Sequence, residues 1–202
     1  MRSLPNEEAC AARQSPSRRL SCGAPMDVRI KVSSRDAVFA LRDRVALALW
    51  RGKTTSGAVR RGSEILAEHA AAWDGRVLLL TVVEENVPLP ALEARMELVS
   101  LLKNANGLVE RSALVFEGEG FRAASVRAVV AGVSLFSRPE YPHRVFASVG
   151  AAARFLGGGR KDAPAPHRVI RMVNEARHAP GTQTFLPWLA GANQTGDGLR
   201  PR

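Results

Sequence analysis

The chain has 202 residues, of which 46% are hydrophobic, and a formal net charge of +10. This composition is that of a chain that builds a core, and no apolar run approaches the roughly 18 residues that cross a bilayer, so disordered and membrane-spanning classes are excluded. Six of the ten excess positive charges fall in residues 1–25 and 158–202. Arginine and glutamate are interspersed between those segments, which argues against a nucleic-acid-binding face on the core.

Both cysteines, Cys10 and Cys22, precede the first patterned segment. Two cysteines placed there predict neither a disulfide framework nor a metal site, and they favour a reducing, cytoplasmic location. Residues 1–25 contain arginines but no continuous apolar stretch, which argues against a secretory signal. We expect residues 1–25 to be a disordered arm and Met26 to be the functional start.

Three short apolar segments open the patterned part of the chain. Residues 28–32 alternate between apolar and basic side chains, which predicts a half-exposed strand. Two apolar runs follow, at 37–41 and 45–50, and they predict a β-hairpin that stops at Arg51-Gly52. The apolar positions of these runs also share one face of a helix, so periodicity alone leaves a helical alternative open.

Beyond the hairpin, strand and helix patterns alternate. Caps, turn signals and apolar spacing predict strands at 76–83, 112–116 and 144–146, and helices at about 54–72, 88–106, 121–136 and 149–156. The order β-β-β-α-β-α-β-α-β-α predicts an α/β fold over residues 26–157. A single mixed, mostly parallel sheet, opened by a hairpin, would carry about four helices.

The pattern dissolves in residues 158–202, which we expect to form a mostly disordered basic arm. One narrow apolar stripe interrupts this segment, at Val169, Met172, Val173 and Ala176. We expect a disordered or transiently helical tail there, because two or three turns of helix are marginal in water on their own. An alternative is that the stripe lies on an anionic membrane or in the groove of a partner.

Two glycine motifs resemble nucleotide-binding loops. Gly52-Lys53-Thr54 matches the end of a P-loop, but Leu47 stands where that loop needs its first glycine. Gly118-x-Gly120-x-x-Ala123 matches a short dinucleotide fingerprint, but it lies late in the chain, and no acidic residue follows at the required distance. Both motifs predict close turns. The backbone N–H groups near Gly118 and Gly120, together with Arg122, could still hold an anion or a ligand.

The four histidines show no metal-ligand spacing, and no Gly-x-Ser-x-Gly elbow is present. His143 could serve as a base, but the sequence identifies no nucleophile for it, so we expect a residue at a strand start. The sequence therefore predicts no catalytic constellation, no metal and no cofactor.

A family resemblance rests on three segments: Trp50-Arg51-Gly52, the apolar strand 78–83, and the ending 144–156 with its Val-Phe strand and alanine-rich helix. Together with the element order, they resemble the STAS fold (sulfate transporter and anti-sigma-factor antagonist domains), and more narrowly the small bacterial proteins similar to stage II sporulation protein AA. The resemblance implies a non-enzymatic regulator that binds a protein partner.

In the antagonists of that family, binding is switched by phosphorylating a serine at the start of the second helix. The corresponding loop here reads Glu84-Glu85-Asn86-Val87-Pro88 and has no hydroxyl group. A switch that adds a phosphate charge cannot operate there. We expect Glu84, Glu85, Asn86 and Val87 to form a permanently acidic partner-binding surface. The alternative is a solvated loop whose acidic residues precede the start of a helix.

Two other functions stay open. One is binding of a small ligand or lipid near residues 118–122, which an unfilled apolar cavity between a helix and the sheet would favour. The other is nucleic-acid association through the basic arms, which would show a steep salt dependence.

Overall fold

The computed structural model describes residues 27–73, 75–118, 120–158 and 163–181. Cys10, Cys22 and the predicted arm 1–25 lie outside these residues. The strands are β1 (Arg29–Ser33), β2 (Ala37–Arg42), β3 (Val45–Trp50), β4 (Val77–Val83), β5 (Val109–Phe116) and β6 (His143–Phe146). The helices are α1 (Ser56–Trp73), α2 (Leu92–Asn104), α3 (Gly120–Ser137), α4 (Val149–Gly157) and α5 (Pro166–His178).

The described strands form one mixed sheet in the order β1-β2-β3-β4-β5-β6. The pairs β1–β2 and β2–β3 are antiparallel, and the following three pairs are parallel. The predicted α/β fold with a mixed sheet is therefore confirmed. The hairpin is confirmed against its helical alternative, since β2 and β3 pair along their whole length and Asp43 turns the chain with a φ of 50°.

Helices cover both faces of the sheet, because alternate side chains of the central strands are apolar on each face. One core cluster joins the sheet to α4 and α5, and the other joins it to α1 and the residues around α2. Consecutive parallel strands joined by right-handed crossovers place their connecting helices on the same face, so α1, α2 and α3 lie side by side.

Helix α5 corrects the expectation for the C-terminal segment. Its stripe is in the core, since Val169, Met172, Val173 and Ala176 are each at most 1% exposed. Sequence periodicity recognised the stripe but could not show that the surface of β2 and β3 was available to bury it. Ala179, directly after α5, is also held in place, because the guanidinium of Arg51 donates to its carbonyl at 2.7 Å. Residues 163–181 thus belong to the folded domain. The rest of the predicted arm, residues 159–162 and 182–202, lies outside the described residues.

Two predicted patterns are less regular than expected. In β1 the register shifts between Ile30 and Val32, so the alternation is broken and Ile30 is 40% exposed. In α2 the residues Val99 and Leu102 are buried, but Leu92 is 69% exposed. Met96, one turn later, is 59% exposed as well, so only the second half of the predicted apolar row is buried.

Candidate ligand cavity

A cavity of about 120 Å³ separates the sheet from the layer formed by α1, α2 and α3. On the opposite face α4 lies close to β5, whereas α3 makes its close backbone contacts mainly with α2. The helix layer is therefore separated from β4 and β5 where α2 and α3 cross them, and the described side chains do not fill the space between the two layers.

The floor of the cavity is a row of residues that runs across the middle of the sheet. Ala48, Thr81 and Leu114 are in register on β3, β4 and β5, and all three are only partly buried. Their neighbours on the opposite face, such as Leu80 and Ala113, are 0% exposed. Small side chains at two of the three floor positions leave the volume open, since a well-packed interior would fill it.

The roof and walls are apolar. Helix α1 comes close at Gly62, where an added Cβ would lie only 3.0 Å from the ring of Phe39. The leucines of α2, the valines of α3 and the segment before α2 complete the lining, namely Leu98, Leu101, Leu102, Val126, Val129, Val130, Val133, Val87, Pro88, Leu89 and Pro90. No charged side chain is among the lining residues, so the cavity suits an uncharged, mostly apolar molecule.

The polar groups of the described lining are the side chains of Thr54, Thr81, Ser112 and His143 and the indole N–H of Trp50. Ser112 on β5 and His143 on β6 are in register, and the Ser112 Oγ lies 3.1 Å from the His143 Nδ1. The His143 Nε2 is buried, and none of the residues that the structure describes forms a hydrogen bond with it. Burial lowers the pKa of His143 below its ordinary value, so the ring is neutral at pH 7.

Sequence reasoning missed the Ser112–His143 pair, because the two residues are 31 positions apart and only the strand register brings them together. The pair differs from a hydrolytic triad. In a triad the histidine is oriented by a carboxylate, whereas here, among the described residues, no hydrogen-bond partner reaches the Nε2.

The predicted partner loop divides into two parts. Glu85 and Asn86 are exposed, but Val87 is 4% exposed and lines the cavity. Glu84 is engaged inside the molecule, since its Oε1 accepts a hydrogen bond of 2.8 Å from the Arg177 Nε. The structure thus leaves Glu85 and Asn86 as the accessible residues of this loop.

The predicted anion site lies at the carboxyl end of β5. Gly118 follows this strand and Gly120, with a φ of 66°, begins α3, while the side chain of Arg122 lies outside the described residues. Two carboxylates lie close by: Glu85 approaches Gly118, and Glu117 accepts hydrogen bonds from Arg177 and from the Val149 backbone. Arg177 pairs with one of these two carboxylates, Glu117, and the anion site at Gly118, Gly120 and Arg122 stays a prediction.

The Gly52-Lys53-Thr54 turn is occupied by Asp36. The Lys53 N–H donates to the Asp36 Oδ1 at 2.9 Å, and the Gly52 N–H donates to the Asp36 carbonyl at the same distance. In a P-loop these N–H groups would face a phosphate. Here they bind the chain itself, which supports the prediction of a close turn.

No family model, curated protein or solved structure matches this chain. The resemblance to STAS domains therefore stays a prediction. Within the described residues no helix is long and apolar enough to span a membrane, and no three histidine, cysteine or acidic side chains gather as they would around a metal ion.

Proposed function

We propose that the protein binds a small apolar molecule in the cavity between the sheet and the layer of α1, α2 and α3. The observation that carries this proposal is the unfilled, uncharged cavity of about 120 Å³ in the middle of an otherwise closely packed domain. An engineered apolar cavity of about 150 Å³ stays dry and binds benzene. A single aromatic ring or a short aliphatic chain is thus the size of ligand that fits.

The free-energy cost of leaving the cavity empty supports ligand binding. Cavities in protein cores cost about 24 cal/mol per Å³, so this one costs roughly 3 kcal/mol when empty. A ligand that fills the volume restores the missing dispersion contacts without having to open the fold. Partly buried Ala48, Thr81 and Leu114 would then become fully buried.

The test is a thermal unfolding series on the full chain with benzene, toluene and short alcohols. Binding to the native state alone adds about 2.7 kcal/mol of stability at a ligand concentration one hundred times the Kd. We expect a rise of the Tm that saturates with concentration, and we expect Ala48→Leu, which fills the floor, to abolish it. Ala128→Leu is the matched control, because Ala128 is exposed on α3. No saturable stabilisation by any of these probes would refute the proposal.

A second proposal retains the regulator function that the STAS resemblance implies. It is favoured by the exposure of Glu85 and Asn86 beside the start of α2. We expect a protein partner to be lost from the variant Glu85→Lys/Asn86→Arg and retained by Glu68→Lys, an exposed position on α1. The measurement is the ratio of partner to protein in the complex purified with each variant. Retention of the partner by the loop variant would contradict the second proposal.

A further inference from the structure

We infer that the ligand of this cavity is uncharged and carries one hydroxyl or carbonyl group, which His143 binds with the support of Ser112. This inference rests on the proposed function and deepens it, since it assigns the chemical class of the ligand and the residue that recognises its polar end.

The geometry places one polar pair in an apolar lining. Ser112 is 1% exposed, and its Oγ is 3.1 Å from the His143 Nδ1. Both residues line the cavity, and no described residue offers a hydrogen-bond partner to the buried Nε2 on the other side of the ring. A buried polar atom without a partner is unfavourable, and in native proteins it calls for a specific explanation. A polar group on the bound ligand is that explanation.

The two tautomers of the pair define which groups fit. If Ser112 donates to the Nδ1, the Nε2 carries the proton and donates to a hydroxyl or a carbonyl oxygen. If the Nδ1 carries the proton and donates to Ser112, the Nε2 accepts from a hydroxyl. A hydroxyl group therefore suits both arrangements, and a carbonyl group suits the first.

The charge of the lining excludes an ionised end group. Among the described residues, no lysine, arginine, aspartate or glutamate lines the cavity, and burial keeps the imidazole neutral at pH 7. A carboxylate or an ammonium group would lose its hydration without gaining a counter-charge, which costs far more than one hydrogen bond returns. Alcohols, phenols and ketones remain as the ligand class.

Phenol and toluene test the inference, because they have similar shapes and differ in the hydroxyl group. We expect the ratio of the phenol and toluene affinities to fall roughly fivefold to tenfold in His143→Leu, the fold-change equivalent to one net hydrogen bond. Ser112→Ala should lower the same ratio by a smaller factor. Ser100→Ala is the matched control, since Ser100 is exposed on α2 and should leave the ratio unchanged.

A second measurement uses the unaltered chain and does not depend on the variants folding. In a spectrum of nitrogen-15-labelled histidine, phenol should shift the Nε2 resonance of His143, whereas toluene should shift it much less. The inference is overturned if phenol and toluene shift that resonance equally and if His143→Leu leaves the ratio of their affinities unchanged. The proposed function would still stand, because both probes would have bound. If neither probe binds, the proposed function itself fails and the inference fails with it.

Discussion

At the residue scale, Arg177 connects α5 to the carboxyl ends of two parallel strands. Its Nε donates to the Glu84 Oε1 at 2.8 Å, and its Nη2 donates to the Glu117 Oε2 at 2.7 Å. Burial lowers the pKa of Arg177, but the hydrogen bonds to the two carboxylates outweigh that effect and raise the pKa overall. One guanidinium thus pairs with two carboxylates that the sheet brings close together.

We expect Arg177→Ala to lower the free energy of unfolding by roughly 1 kcal/mol, because the two ion pairs are partly exposed and two carboxylates would face each other without a cation. Arg171→Ala should have almost no effect, since the side chain of Arg171 is 72% exposed and pairs with Glu175 within α5. Urea denaturation at low and high salt measures both. An equal effect of the two variants would contradict this role for Arg177.

Two histidines, the buried His69 and the partly buried His143, make stability depend on pH. Burial lowers the pKa of His143, and burial together with the charges of Arg29 and Lys31 lowers that of His69 despite an opposing backbone contact from Asp43. Both rings are neutral when folded, and the unfolded chain takes up protons as the pH falls below about 6.5. Stability is therefore full above that pH and decreases below it, until the folded pKa values are reached.

Urea denaturation between pH 7.5 and pH 5 measures this decrease. We expect the free energy of unfolding to decrease less in His143→Leu than in the unaltered chain. The variant lacks one of the two histidines that bind a proton more readily in the unfolded chain than in the folded one. A decrease of unchanged size in that variant would show that His143 is not protonated on unfolding in this range, contrary to the expectation.

At the scale of elements, α5 helps to cover the face of the sheet that lies opposite α1, α2 and α3. Its apolar stripe is in the same core cluster as the central strands β3, β4 and β5. The helix also has proline at its first position, where the missing N–H costs nothing, and basic residues in its last turn, where the helix dipole favours them. The local sequence signals and the tertiary packing therefore both favour a helix over these residues.

We expect Met172→Ala to destabilise the fold by about 2–5 kcal/mol, the range for deleting a fully buried side chain of that size. Ile170→Ala on the same helix should cost less than about 1 kcal/mol, because Ile170 is 37% exposed. Thermal or urea unfolding of the two variants provides the comparison. Equal and small effects of the two variants on stability would show that α5 does not unfold cooperatively with the rest of the domain.

At the scale of the whole molecule, the two faces of the sheet are packed differently. The face under α4 and α5 is closed, while the face under α1, α2 and α3 contains the cavity. Substitutions that fill a cavity commonly stabilise natural proteins, and the recurrent cost of such substitutions is lost function.

We therefore expect Ala48→Leu to raise the stability of the ligand-free protein by about 1–2 kcal/mol, since buried methylene groups contribute about 0.8 kcal/mol each and some strain offsets the gain. The same variant should lose ligand binding. Calorimetric unfolding without ligand measures the first effect. A strong destabilisation would mean that the floor at Ala48 has no room for the added atoms.

The sequence by itself predicted the order of the strands and of the first four helices and the mixed sheet, and it favoured the hairpin over a helical alternative. Those features depend on local periodicity, turn residues and caps, which act over a few positions. It also marked the stripe of α5, but a narrow apolar stripe fits a free amphipathic helix and a buried one equally well. Only the tertiary structure supplied the surface that buries it.

The candidate site was decided by the tertiary structure alone. In the sequence Ala48 and Thr81 are ordinary members of apolar strands, and nothing local shows that the helices above them stand off from the sheet. Ser112 and His143 meet only because β5 and β6 pair in that register. Cavities and polar pairs depend on how distant segments pack, and local patterns carry no information about the volume that packing leaves open.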